Sequence, residues 1–391
     1  MSKHSTALIA NLLAQIGFGL LSMTLCLPSM QEWASVFAVP QASVQLSFSL
    51  FVVAYGGFQL VFGPLSDRWG RRRTLMLGLT IAMVGAVVAA TAQSIDALIM
   101  GRFLQGAGGA AGMVVGRSMV QDLFEGEART RVMAYVGMAM GCIPPFSTLM
   151  GGNIHVYVGW RWNFVLIGCI AAGMWVWAWR GLPQGAPRGV HASGALGFLH
   201  AYARLLQERV FLKYLVILSV TTATFYAFLS AAPLVMASYG VGPDRVGLYI
   251  MCIPFSYFVG NFLTTRLIHT WGERRVTTVG QIATVAGIVL MLLLTLTSWH
   301  SPWAVSLPLV LVGLGHGLLV PPTLTATVAV MPALAGAAAG AAGVMQQFTG
   351  AVGGYLVGFT SHDGPAGMGW LMLLFASIGL WMHSLLGKRT A

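Results

Sequence analysis

The chain has 391 residues, of which 57% are apolar and 8% charged, with a mean hydropathy of +0.78 and a formal net charge of +11. Soluble domains carry roughly a quarter charged residues, so a cytosolic enzyme, a secreted disulfide scaffold and a disordered chain are excluded. The apolar runs are too long and continuous for a transmembrane β-barrel, and the basic residues sit in short clusters between them, which assigns the charge to membrane topology rather than to nucleic acid.

About 20 apolar residues cross a bilayer. On that template the sequence predicts twelve transmembrane helices, at roughly 7–30, 43–65, 74–93, 97–121, 132–156, 162–180, 212–238, 246–268, 276–298, 304–330, 336–361 and 368–386. The first run is too long for a signal peptide and no small-residue cleavage site follows it, so it reads as a retained helix. With the N-terminus cytoplasmic, 17 of the 21 Lys and Arg fall on the inner side, which predicts cytoplasmic N- and C-termini. Cys26, Cys142, Cys169 and Cys252 lie inside apolar runs with no metal-type spacing and read as small apolar residues.

The stretch 181–211, with Pro183 and Pro187, reads as a cytoplasmic linker; its basic amphipathic piece, Ala201 to Lys213, is expected to lie at the membrane surface. It separates a six-helix bundle over 1–180 from a second over 212–391. The halves echo each other. Trp69-Gly70-Arg71-Arg72-Arg73 recurs as Trp271-Gly272-Glu273-Arg274-Arg275, and Gly151-Gly152 as Gly353-Gly354, both at an offset of 202 residues; Pro28 has a counterpart in Pro233. A parallel six-helix duplication of this kind places a solute site near the midplane between halves that rock around it.

Three motifs carry a family resemblance. Gly63-Pro64-Leu65-Ser66-Asp67-Arg68-Trp69-Gly70-Arg71-Arg72-Arg73, between spans two and three, resembles the G-x-L-x-D-R-x-G-R-R signature of the major facilitator superfamily. Arg102-Phe103-Leu104-Gln105-Gly106-Ala107-Gly108 resembles the R-x-x-Q-G-x-G motif of its drug:proton antiporters. Leu27-Pro28 and Gly159-Trp160-Arg161 are similar to the Bcr/CflA-type multidrug subgroup. The resemblance spans the chain and implies a twelve-helix transporter of two six-helix repeats. It further implies proton-coupled efflux of small amphipathic molecules by alternating access in an inner membrane, small-molecule substrates and protons as partners, and neither a covalent reaction nor a cofactor or metal. A monomer is expected, without nucleic acid.

The chain departs from that subgroup in two places. Thr24 stands where an embedded acid usually precedes the span-one proline, and Thr148 and Leu149 stand where span five usually has a second proline before its glycine pair. All ten acids fall in loops or at helix ends on these spans. The alternative reading is therefore an importer or facilitator of an anionic or neutral solute on the same fold; a receptor or scaffold is disfavoured, since no loop is large enough to be an interaction domain.

Residue roles follow. Gly63, Asp67, Arg68, Gly70, Arg71 and Arg72 form an expected conformational latch, with Arg71 or Arg72 pairing Asp122 at the end of span four and Asp67 facing the positive end of span eleven. Arg102 and Arg117, four turns apart, make the cavity electropositive if both face it, or are structural if carbonyls and Gln105, or Asp122 and Gln121, hold them. His316, between Gly315 and Gly317, is the proton-coupling candidate or a bonded structural histidine. Gln15, Thr24, Tyr55, Tyr226, Tyr257, Asn261 and Gln346 are candidate cavity-lining residues or helix-to-helix contacts. Gly108, Gly112 and Gly116 in span four, and Gly350, Gly354 and Gly358 in span eleven, are expected to form packing stripes. The abundant Met and aromatic residues read mainly as core and lipid-facing filler.

Overall fold

The computed structural model describes residues 6–183, 203–295, 297, 301–360 and 364–386, and all regular structure among them is helical. The chain divides into two compact units, Met1–His191 with Gly242–Gly247, and Ala192–Val241 with Leu248–Ala391. Most of the expected linker, with Pro187, lies outside the described residues.

The first unit contains α1 (Thr6–Thr24), α2 (Met30–Phe37), α3 (Gln41–Trp69), α4 (Arg71–Ala90), α5 (Ile95–Leu123), α6 (Gly126–Val158) and α7 (Arg161–Gly181). Pro28, which has no N–H to continue the α1 ladder, sits in a 3₁₀ turn, Leu27–Ser29, that joins α1 to α2. Gly70 separates α3 from α4 at φ 93°, a conformation that a side chain rarely adopts. Helix α5 is central and packs on α1, α3 and α4. Its glycines permit the approach: a Cβ on Gly101 would lie 2.7 Å from Ala89 N, and one on Gly106 would strike the Phe51 carbonyl. In lipid, such close backbone packing replaces the hydrophobic effect as the force between helices. The expected stripe divides between two neighbours. Gly108 faces Gly78 and Ala82 of α4, whereas Gly112 and Gly116 face Gln15 and Ile16 of α1, because α5 is enclosed on more than one side.

The second unit contains α8 (Arg209–Ser238), α9 (Pro243–Ile250), α10 (Cys252–Trp271), α11 (Glu273–Thr295), α12 (Trp303–Ala329), α13 (Ala335–Leu356) and α14 (Ala366–Ser384), α9 falling on the boundary between the units. Here α12 is central, against α8, α10 and α11. Gly315 admits α11 and Gly317 admits α10, where its Cβ would lie 2.5 Å from Tyr257 O. The boundaries of the two units correspond: α3 ends at Trp69 and α10 at Trp271, followed by Gly70 and Gly272, both with positive φ.

Three differences from the sequence reading have local causes. The eighth predicted span is two helices, because Pro254 cannot donate to Ile250 and its ring crowds that carbonyl; α9 stops there. The basic piece 201–213 is not one surface helix. A short helix covers 203–207, Glu208 caps the next by accepting from Val210 N, and Arg209 and Lys213 belong to the first turns of α8. Among the described residues, eleven helical segments are long and apolar enough to cross a membrane, and α13 is outside that set. At 22 residues it is long enough, but Gln346, Gln347 and its glycines dilute its apolar content.

Candidate functional site

The loop between α3 and α4 is built from two helix ends. Gly70 turns the chain so that Arg71, opening α4, lies back over the last turn of α3. There Arg71 Nη1 is 2.8 Å from Asp67 Oδ1, while Arg71 Nε donates to Asp122 Oδ2 at 3.1 Å, at the end of α5. Arg71 also donates to Ser66 Oγ, whose hydroxyl donates to the Gly63 carbonyl at 2.8 Å. Arg71 is therefore the residue that pairs Asp122. Arg72 instead donates to the carbonyls of Trp179 and Leu182, at 3.1 and 3.3 Å, closing the C-terminus of α7. Arg68 is exposed. Gly63 has room for a side chain, its Cβ position lying 3.7 Å from Val114. The network ties α3, α4, α5 and α7 into one end of the first unit.

The membrane-embedded candidates divide by unit. In the first, Arg102 is 1% exposed; it donates to Ser22 O at 2.7 Å, Met23 O at 3.2 Å and Gln105 Oε1 at 2.8 Å, and lies over the Phe51 ring at 4.2 Å. Those carbonyls are in the last turn of α1, where no downstream N–H completes the ladder, so Arg102 caps a helix end. These contacts are those of the structural alternative: Nη1 and Nη2 are engaged within the bundle, while the buried Nε has no hydrogen-bond partner. Arg117 is exposed on its unit and reaches Met140 Sδ at 3.6 Å; the expected structural partner, Asp122, is taken by Arg71. Gln15 donates to Asn11 Oδ1 and to Met174 O, both at 3.1 Å, and Asn11 donates to Trp177 O, so this pair joins α1 to α7. Thr24 shares a hydrogen bond of 2.5 Å with Ser147 of α6. Tyr55 stacks on Phe51 and fills the space left by Gly19.

In the second unit, Tyr226 donates to Gln347 Oε1 at 3.0 Å and Thr222 to Gln346 Oε1 at 3.2 Å, joining α8 to α13. Asn261 donates to Tyr257 O within α10. His316 is 4% exposed, and its Nε2 is buried without a hydrogen-bond partner. Among the described residues no Asp or Glu is buried, and no group of three metal-ligating side chains occurs.

The sequence reading did not single out the cluster where α2, α6 and α7 meet. His155 is buried there, with Nδ1 3.2 Å from Ser29 Oγ and Nε2 3.2 Å from Glu32 Oε2; Asn163 donates to Ser29 Oγ and to Gly151 O. The signal was available: a histidine late in a predicted span, with an asparagine early in the next. Gln347 and Ser147 were also missed, each one residue or one turn from a residue that was considered.

Comparison with known proteins bears on these features. The family model described as Major Facilitator Superfamily matches residues 7–354. The chain is 26% identical over 377 residues to "Multidrug resistance protein D" of Escherichia coli (strain K12), covering 95% of this chain and 93% of that protein. It is 27% identical over 309 residues to the "Chloramphenicol resistance protein" of Pseudomonas aeruginosa, covering 78% and 71%. Among solved structures, a D-xylose-proton symporter superposes with a TM-score of 0.77 over 99% of this chain and 98% of that one, at 14% identity.

Proposed function

The chain belongs to the Major Facilitator Superfamily, a multi-pass membrane transporter of small molecules and not an enzyme, and on that premise we propose that it exports small amphipathic molecules by proton-coupled alternating access. The observation that carries the reading is similarity to a multidrug resistance protein over nearly the whole of both chains. In this reading α13 is the twelfth span despite its glutamines, the two units are six-helix repeats, both termini are cytoplasmic, and a monomer works in the inner membrane without nucleic acid. The repeat is supported by the corresponding breaks at Gly70 and Gly272, and the orientation by the arginine clusters at those breaks. The Asp67–Arg71–Asp122 network serves as the latch: it holds one end of the first unit together in one state and loosens in the other. His316 is the proton carrier, a buried imidazole whose Nε2 lacks a partner that would fix its protonation.

A second reading, a facilitator or importer of a neutral or anionic solute, is favoured by Thr24, whose hydroxyl is bonded to Ser147 where an acid would meet a cationic drug. One experiment separates the two. Purified protein in liposomes is given a pH gradient and offered chloramphenicol, a quaternary ammonium dye and an anionic dye. Gradient-driven movement of chloramphenicol supports export coupled to protons. Gradient-independent equilibration of the neutral or anionic compound supports the facilitator, and transport of none of the three refutes the substrate class.

A further inference from the structure

The turn between α10 and α11 repeats the turn between α3 and α4 in backbone but not in chemistry. At the offset of 202 residues, Asp67 corresponds to His269 and Arg71 to Glu273, while Arg72 and Arg73 keep their type as Arg274 and Arg275. Helix α12 is offset from α5 by 207, since Gly313 and Gly315 meet Ile253 and Gly280 as Gly106 and Gly108 meet Phe51 and Gly78, which puts Ala329 at the position of Asp122. The carboxylates that engage arginine in the first unit have thus been lost from the second. Arg274 and Arg275 are exposed, and neither forms an ion pair among the described residues. An open cavity of about 600 Å³ lies beside them, lined by Trp271, Arg274, Arg275, Thr278 and Val279, all in the second unit.

Position says what the cavity suits. It lies at the common end of two helices long and apolar enough to span the membrane, α10 with α9 and α11, so its mouth is at a membrane–water interface. Trp271 is half exposed there, as an interfacial tryptophan is. Running away from Arg275 along one face of α11, at helical spacing, are the exposed side chains Val279, Ile282, Val289 and Leu293. From Val279 to Leu293 the stripe is about 21 Å long at 1.5 Å per residue, more than the roughly 15 Å of one leaflet's hydrocarbon. The cavity therefore offers two guanidinium groups at the headgroup level, the Thr278 hydroxyl being spent on the Arg274 carbonyl, and an apolar track beneath them. A soluble anion would use only the first; a phospholipid uses both. The His383 ring, bonded to Thr278 Oγ1 at 2.8 Å, lies behind the cavity at the end of α14, and Glu273, at the first position of α11, is the acid nearest in sequence. Basic pockets at the ends of transmembrane helices attract anionic lipid.

We propose that this cavity binds the phosphodiester headgroup of an anionic glycerophospholipid, Arg274 and Arg275 donating to the phosphate and the α11 stripe receiving an acyl chain. The proposal rests on the chain spanning a membrane, and not on the substrate or the direction of transport.

The test uses the full-length protein purified in detergent, with bound lipid counted by native mass spectrometry during titration with phosphatidylglycerol, and with phosphatidylcholine as the zwitterionic comparison. The wild type should take up phosphatidylglycerol in preference. Each of Arg274→Gln and Arg275→Gln should weaken that uptake about 5-fold, and the pair about 30-fold, as expected for one basic contact each near a lipid surface. The double Lys variant should keep most of it, and Arg131→Gln, which removes the same charge elsewhere, should change nothing. Melting of each variant is followed alongside; these side chains are exposed, so unfolding is not expected, and the Lys variant separates lost charge from lost fold. Equal uptake of the two lipids by the wild type overturns the proposal, as does an equal loss in Arg131→Gln. Displacement of the lipid by millimolar glycerol phosphate would show that the cavity reads a soluble phosphate, and would also overturn it.

Discussion

Replacing Arg102 by Met tests whether its charge serves the solute or the helix end. The wild-type guanidinium makes three hydrogen bonds, to Ser22 O, Met23 O and Gln105 Oε1, and stacks on Phe51. Met keeps much of the volume but leaves the Ser22 carbonyl buried without a donor and the Met23 carbonyl with only the weak Cys26 thiol. Each such group costs about 1–3 kcal/mol, and the lost contact with the ring about 0.5–2 kcal/mol. Removing a buried charge returns part of this, because burying an ion itself costs several kcal/mol. The net loss is about 2–4 kcal/mol. Thermal unfolding of purified protein, followed by the fraction that stays monodisperse, should shift down clearly for Arg102→Met and partly for Arg102→Lys, whose compact ammonium cannot span both carbonyls. Arg117→Met should leave melting unchanged, since Arg117 is exposed and reaches only a thioether. The reasoning is refuted if Arg102→Met melts with the wild type and instead loses affinity for anionic solutes.

Asp67→Asn should slow transport while leaving insertion and expression intact. Its partner pair is partly exposed, so the effect on the population ratio is modest, about 5-fold at most, read as a transport rate in vesicles; an unchanged rate removes the latch. His316→Gln should abolish transport driven by a pH gradient and spare binding of the same compound, measured by fluorescence quenching; an unaltered gradient response makes His316 structural. Gly353→Ala should destabilise by about 1–3 kcal/mol, because its Cβ would lie 2.7 Å from Ala223 O and a backbone atom cannot move aside. Gly343→Ala, with nothing within 4 Å, should raise melting slightly through helix propensity, and the same sign for both variants contradicts the packing given for α13.

Features that depend on single residues and their chain neighbours were legible in the sequence. Hydropathy locates the spans, and the recurring Trp-Gly pair marks the two turns whose glycines take positive φ. The choice between Arg71 and Arg72 for Asp122 was narrowed to two and no further, because it depends on how far each side chain lies around the first turn of α4. Arg102 could be placed in a helix but not given partners. Those are backbone carbonyls in the last turn of α1, which ends at Thr24, and nothing in their side chains announces it. The fate of α13 shows the limit of hydropathy: its two glutamines lower the apolar count while their amide oxygens are bonded to Thr222 and Tyr226 of α8. A composition window counts a satisfied polar group as though it faced lipid.

The offset of 202 residues also exposes a division of labour between α6 and α13. Gly141 and Gly343 correspond, and a Cβ on either would meet nothing within 4 Å. Gly151 and Gly353 correspond, and both are pressed against a backbone carbonyl, of Leu25 just past the end of α1 and of Ala223 in α8. Each helix therefore has a loosely packed part and a tightly packed part in the same order. What stands between them differs. In α6 it is Pro144-Pro145, which removes two ladder donors and frees the carbonyls one turn earlier. In α13 the same positions are Gln346-Gln347, whose side chains are bonded to α8. A proline pair at that junction lets the loose part of α6 change angle while the tight part stays on α1. A glutamine pair couples α13 to α8 along more of its length. On the proposed alternating access, α6 rather than α13 is therefore the helix expected to bend against its own bundle. Pro144→Ala with Pro145→Ala should slow transport more than any substitution at Gln346 and Gln347 that keeps α13 folded, and an unchanged rate in the alanine pair would remove the comparison.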